Sequence, residues 1–134
     1  MKWTITHVDD PRHIVMKVTG RFTVEGCRRG IAELAPVKDP FTPLLFDDRE
    51  VDFSGVSDRD LVELGGIIAQ HGPTFVYSKI AVLVAGDQAR TVAEKWRRVS
   101  QQGGGESMIA VFEDDEAAAV AWLTSRPIHD SDPA

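Results

Sequence analysis

The clearest indication of how this chain folds lies in residues 44–61, LLFDDREVDFSGVSDRDL. The stretch opens on three apolar residues, which is typical of a strand inside a parallel sheet, where both faces are covered. Ser57, with Asp60 three residues later, indicates an aspartate variant of the capping box at the start of a helix. The stretch therefore predicts a strand, a loop and a helix, the repeating unit of an α/β fold.

Two further units of the same kind follow along the chain. Apolar runs at 80–85 and 108–112 predict the fourth and fifth strands. A helix is predicted after each of them, the first from apolar residues spaced three and four apart (Val92, Ala93, Trp96 and Val99) and the second over residues 116–124. Gly72-Pro73 and Gly103-Gly104-Gly105 are predicted to end the second and third helices.

The chain before residue 44 has a different pattern. Apolar and polar residues alternate over 3–8 and 13–18, which predicts two half-buried strands joined as a hairpin by the turn residues 9–12. Thr23 is predicted to cap a first helix that ends at Pro36. We therefore expect one α/β domain over residues 1–127, with a mixed sheet of about five strands and about four helices. Residues 128–134 are expected to form a flexible tail.

The charge of the chain is concentrated at its end. The 134 residues carry a net charge of -6, yet residues 1–105 hold 14 acidic and 14 basic side chains. The whole excess lies in residues 106–134, with seven acidic side chains and one basic. Such a body offers no general basic surface to a phosphate backbone, so we expect no nucleic-acid partner.

Neither end of the chain suggests export or membrane insertion. Residues 1–7 lack the apolar run of a secretory signal, and no window reaches the length of a membrane span. The single cysteine, Cys27, cannot form an internal disulfide, and its position on the apolar stripe of the first helix predicts a core residue. We expect a cytoplasmic protein with no stable membrane insertion.

An ordered set of landmarks resembles the bacterial SpoIIAA-like family, which has a STAS-type fold. The landmarks are a tryptophan in the first strand, GRFT at 20–23, LFDDR at 45–49, VDFSGVS at 51–57, KIAV at 79–82, VF at 111–112 and AWL at 121–123. The resemblance covers about residues 1–127 and implies a STAS-like mixed sheet. It also implies a non-enzymatic regulatory or protein-interaction domain whose specific function is unassigned, since STAS domains of the anti-sigma-antagonist kind work by protein association. Because the fold is similar to that of CRAL-TRIO domains, the alternative is a small hydrophobic-ligand or lipid-binding protein.

The family resemblance also suggests a switch. In STAS domains of the anti-sigma-antagonist kind, a serine in an Asp-Ser-Ser-Gly motif, at the start of the helix after the third strand, is phosphorylated to break the association. The corresponding stretch here reads Ser54-Gly55-Val56-Ser57-Asp58 and lacks that motif. Ser54 and Ser57 are therefore alternative candidate phosphoacceptors.

The same loop is the predicted contact surface for a partner or an anion. It lies beyond the carboxyl end of a central strand and at a helix start, where backbone N–H groups are unpaired. The candidate binding residues are Phe53, Ser54, Gly55, Ser57, Asp58 and Arg59. The structural alternative is that Ser57 serves only as the N-cap.

The third predicted helix is the most basic element, with Trp96 on its inner stripe. Arg90, Trp96 and Arg97 are the candidate gate to an apolar pocket, and the alternative is an ordinary solvated face. The alternating first strand, which contains Trp3, suggests a homodimer as a further possibility.

Metal and catalytic chemistry are not predicted. Asp47, Asp48, Glu50 and Asp52 are expected at the end of the third strand and in the loop after it, but no lysine follows the fifth strand to complete a Mg²⁺ pocket. The four histidines show no metal-binding spacing, and no residues are arranged as a nucleophile with a base. We expect no cofactor, and either an unidentified protein partner or a small apolar ligand.

Overall fold

The computed structural model describes residues 1–75, 78–102 and 108–125. The strands are β1 (Lys2–Asp9), β2 (Arg12–Arg21), β3 (Leu44–Asp52), β4 (Lys79–Val84) and β5 (Met108–Glu113). The helices are α1 (Val24–Leu34), α2 (Asp58–Gln70), the single turn α3 (Gly72–Phe75), α4 (Asp87–Gln102) and α5 (Glu116–Thr124), with a 3₁₀ turn at Ala35–Val37. The predicted glycine turn at 103–105 and the predicted tail at 128–134 lie outside the described residues.

The five strands form one mixed sheet in the order β1-β2-β3-β4-β5, which confirms the predicted fold class. β1 is antiparallel to β2, and every later pair is parallel. Each parallel strand is added on the same side of the previous one, so right-handed crossovers bring α1, α2 and α4 to one face of the sheet. That face carries the larger apolar core, whereas α5 packs through Ala119 and Leu123 on the opposite face.

Local interactions hold the element ends where the sequence predicts them. A two-residue turn at Asp10 and Pro11 joins β1 and β2. The Thr23 side chain accepts a hydrogen bond from the N–H of Gly26 at 2.9 Å, which caps α1. At α2, the Ser57 hydroxyl accepts from the N–H of Asp60 while the Asp60 carboxylate accepts from the N–H of Ser57, completing the predicted capping box.

Two sequence-based boundaries are wrong. β3 extends to Asp52, so the acidic residues after Phe46 lie within a strand and not in a loop. A register shift between Lys17 and Thr19 keeps β3 paired with β2, and an ion pair from Lys17 to Glu50 (3.0 Å) supports the extension. Gly72-Pro73 begins α3, because proline suits the first turn of a helix, and α2 has already ended at Gln70.

β1 lies at one edge of the sheet. Its Trp3 donates a hydrogen bond from the indole to Glu33 of α1 and packs over Gly30, where the absence of a Cβ allows the close approach. The half-buried Trp3 is thus engaged within the chain, and pairing of β1 across a two-fold axis stays a prediction.

Candidate functional site

The candidate site is a pocket between the sheet and the three helices that share its larger core face. Its walls come from β2, β3 and β4 on the sheet side and from α1, α2 and α4 on the helix side. Four aromatic side chains line it, namely Phe22, Phe46, Phe53 and Trp96. The cavity volume is about 80 Å³, and the space between the walls reaches about 670 Å³ when the part open to solvent is included.

Asp48 is the one carboxylate among the described residues that line this pocket. Phe46 and Asp48 face the pocket from β3. The register shift between β2 and β3 interrupts the alternation after Asp48, so that Val51 faces the same side. Asp48 is half-buried, and its partial desolvation among apolar walls, together with the negative charge of Asp47, raises its pKa to about 7. Of the described residues, none gives the Asp48 carboxylate a hydrogen bond or a cationic partner.

The neighbouring carboxylate on the other face of the sheet has the opposite environment. The Asp47 oxygens accept two hydrogen bonds from the Arg49 guanidinium, at 3.0 and 2.9 Å, and Arg49 also reaches Glu116 of α5 at 2.8 Å. The hydrogen bond from Arg49 lowers the pKa of Asp47. The Arg49 guanidinium therefore pairs with carboxylates on the α5 side of the sheet, and it does not neutralise Asp48.

Two further polar groups belong to the pocket wall. Burial raises the pKa of the Cys27 thiol to about 12, with a further contribution from the charge of Asp48. The thiol is thus protonated at neutral pH and is not an activated nucleophile. The indole N–H of Trp96 is buried and has no hydrogen-bond partner within the part of the chain that the structure describes. A buried hydrogen-bond donor without a partner lowers the stability of the folded state, so it is an unusual feature of a protein interior.

The loop predicted to contact a partner divides between two environments. Ser54, Gly55, Ser57, Asp58 and Arg59 are exposed, whereas Phe53 is 8% exposed and lines the pocket. The loop has a defined shape, because the N–H of Ser54 donates to Asp52 at 2.9 Å and Gly55 adopts a φ of 81°.

Only one of the three candidate gate residues lies at the pocket. Trp96 is buried in its wall, but Arg90 pairs with Glu113 at 3.1 Å and Arg97 pairs with Glu94 at 2.9 Å. Neither arginine is among the pocket-lining residues. The tertiary structure thus brings Trp96 together with Phe53 and leaves the two arginines in surface ion pairs.

Asp48 is a pocket residue that is absent from the candidate site residues predicted from the sequence. The available signal was its alternation with Leu44 and Phe46, which puts the three side chains on one face of a strand. The acidic residues after Phe46 predict a loop, which conceals that the period-2 pattern continues along β3. Cys27 was predicted to be a core residue, and it is buried.

Among residues 1–75, 78–102 and 108–125, no group of three or more His, Cys, Asp or Glu side chains is arranged to hold a metal ion. Among the helices of the described residues, none has the length and apolar character needed to cross a membrane.

Comparison with solved structures shows the class to which this architecture belongs. The chain is similar to an uncharacterized protein of the DUF3478 family with a SpoIIAA-like fold, from Shewanella loihica PV-4. The TM-score is 0.58, the identity is 21%, and the match covers 91% of this chain and 92% of the other. This chain therefore has a SpoIIAA-like fold, as its sequence landmarks imply. No family model and no curated protein matches the sequence.

Proposed function

We propose that this protein binds a small, largely apolar molecule in the pocket between the sheet and helices α1, α2 and α4. The observation that carries the proposal is an apolar cavity, open to solvent, whose wall includes polar groups without partners. Small-molecule sites have this form, with predominantly apolar walls and a few polar groups that orient the ligand.

The composition of the wall supports a role in binding. When a ligand displaces water from an apolar wall, the free energy of binding becomes more favourable in proportion to the apolar area covered. Met1 and Met16 contribute flexible thioether side chains, which adapt to ligands of different shape. Leu61, Leu64 and Ile68 supply a helix face of α2 against which a ligand would pack.

The experiment is a ligand-dependent thermal shift with a variant that fills the pocket. Ala93 of α4 is buried and lines the pocket, so Ala93→Leu should occupy part of the cavity. Ala117→Leu makes the same change at an exposed position of α5 and serves as the matched control. We expect small aromatic probes such as benzyl alcohol to stabilise the wild type and Ala117→Leu, and to have a weaker effect on Ala93→Leu.

Native mass spectrometry of freshly purified protein provides a second measurement, since an adduct would give the mass of a co-purified ligand. A clean apo mass together with equal probe responses in all three proteins would contradict the proposal. A stabilised wild type with an insensitive Ala93→Leu variant would support it, provided that the variant still melts cooperatively.

A second candidate function is protein association through the loop and helix start from Ser54 to Arg59, as a non-enzymatic cytoplasmic regulatory domain. The observation that favours it is that this surface is exposed and has a defined conformation. The Arg59 side chain is 89% exposed, and the capping box fixes the conformation of the chain at the helix start. Charge reversal at Asp58 and Arg59 is the test, with Arg28→Glu on α1 as the control. An affinity pull-down in which every recovered partner is unchanged by the reversal would count against it.

A further inference from the structure

We propose that the ligand of this pocket is a hydrophobic amine, whose ammonium group pairs with the Asp48 carboxylate and whose apolar body packs among the aromatic side chains. The inference rests on the proposed function and specifies the chemical class of the ligand.

The elements around Asp48 present uncharged side chains to the pocket. β2 contributes Met16 and Val18, β4 contributes Val82, and the residues from α2 and α4 are likewise uncharged. α1 contributes the Cys27 thiol, which is protonated. None of the side chains among the described pocket-lining residues is basic, and the one other cationic group on a lining residue, the α-amino group of Met1, lies beside the backbone of Gly20.

The potential inside the pocket is therefore negative once Asp48 is ionised. Asp47, one residue away, adds to that potential, since its charge acts on Asp48. A ligand with a carboxylate or phosphate in the pocket would meet an uncompensated like charge. A wholly apolar ligand would cover the half-buried carboxylate and leave it unpaired, which is also unfavourable.

Four aromatic rings line the pocket together with Asp48. Phe22 and Phe53 pack with ring centroids 5.8 Å apart and an angle of 34° between their planes, and Phe46 and Trp96 line the same pocket. Aromatic faces carry partial negative charge and attract ammonium groups, most strongly where water is excluded. A carboxylate set among aromatic rings favours a cation that carries apolar substituents.

The protonation state of Asp48 makes the binding of a cationic ligand depend on pH. Because burial raises the pKa of Asp48 to about 7, the empty pocket holds a protonated carboxyl group at acidic pH. An ammonium ligand binds the ionised form, so its affinity should fall as the pH decreases below 7. A neutral ligand of the same shape has no such requirement.

The test uses three aromatic probes that differ mainly in the polar group: benzylamine, benzyl alcohol and benzoate. Calorimetric titration at pH 8 should show benzylamine binding about tenfold or more tightly than benzyl alcohol, as expected for a charge-assisted hydrogen bond, with benzoate the weakest. At pH 5.5 the preference for benzylamine should shrink. Asp48→Asn should remove the preference and its pH dependence.

Two controls keep the test falsifiable. Glu50→Gln neutralises an exposed carboxylate on the same strand that pairs with Lys17 outside the pocket, and it should retain the preference for the amine. Binding of benzyl alcohol to Asp48→Asn reports that the variant has kept a folded pocket. Equal affinities of amine and alcohol for the wild type, or an amine preference that persists in Asp48→Asn, would overturn the amine assignment while leaving the pocket function intact. Failure of all three probes to bind the wild type would overturn both.

Discussion

Replacing Asp48 with asparagine should raise the free energy of unfolding at pH 8 and remove part of its pH dependence. The folded-state pKa of Asp48 is about 7, against 3.8 for an unperturbed aspartate. Between these values the folded protein binds a proton that the unfolded chain has released. Its stability therefore decreases as the pH rises through this window, and the loss is complete above the folded-state pKa.

The size of the effect follows from the two pKa values. One pKa unit corresponds to about 1.4 kcal/mol, so ionisation of Asp48 costs the fold about 2.5 kcal/mol between pH 5 and pH 8. Asparagine has nearly the same shape and does not ionise. The stability of the variant relative to wild type should thus improve by about 2.5 kcal/mol over that interval. At pH 5 the two proteins should have similar stability, because the protonated carboxyl group and the amide are both neutral and both lack a partner among the described residues.

Urea unfolding followed by tryptophan fluorescence at pH 5, 6, 7 and 8 measures this difference. Subtracting the wild-type curve from the variant curve cancels the titration of groups that the substitution does not affect. Glu50→Gln is the matched control, and its difference from wild type should show no comparable rise. A difference between Asp48→Asn and wild type that stays flat within about 0.5 kcal/mol, or that falls with pH, would refute the assignment of Asp48 as a desolvated carboxylate without a cationic partner.

Four further predictions concern the surrounding structure. Asp47→Asn should cost about 1–3 kcal/mol at pH 7, because it weakens the hydrogen bonds from Arg49. Since the pKa of Asp47 is lowered, that cost should shrink as the pH falls, and urea titrations in which it grows at acidic pH would contradict the prediction. Ser57→Ala should destabilise the protein by about 1 kcal/mol through loss of the α2 cap, and an unchanged melting temperature would argue against the capping box. Gly66→Ala should stabilise the protein by about 0.5–1 kcal/mol, because an added Cβ meets no atom within 4 Å and alanine favours the helix; a lower midpoint in urea would be the contrary result. Cys27 should react with a thiol reagent at pH 8 roughly 100-fold or more slowly in the native protein than in urea, since burial raises its pKa to about 12, and rapid native labelling would show an accessible thiolate.

Adjacent carboxylates on one strand have opposite roles in this protein. Asp47 faces α5, where Arg49 neutralises it, and Asp48 faces the pocket, where no described residue does. The alternation of side chains along a strand accounts for the difference, since neighbouring residues point to opposite faces of the sheet. The same acidic stretch thus supplies both a structural ion pair and the charge that defines the proposed ligand.

Local patterns in the sequence predicted much of the architecture. The hairpin, the Thr23 cap, the Ser57–Asp60 capping box and the helix over residues 116–124 all depend on residues within a few positions of one another. Alternation and three-to-four spacing report which side chains of an element face the core, whichever elements cover them. Landmarks spread along the chain also predicted the SpoIIAA-like fold.

The pocket depends on interactions that are distant in the sequence. Cys27, Asp48 and Trp96 come from three different elements, and they meet because successive right-handed crossovers bring α1, α2 and α4 to one face of the sheet. The length of β3 likewise depends on its register with β2, and Arg90 of α4 pairs with Glu113 at the end of β5. Local chemistry in the sequence therefore specified the elements and their inward faces. The cavity, and the absence of a described cationic partner for Asp48 within it, arise from packing between elements, which no short stretch of sequence encodes.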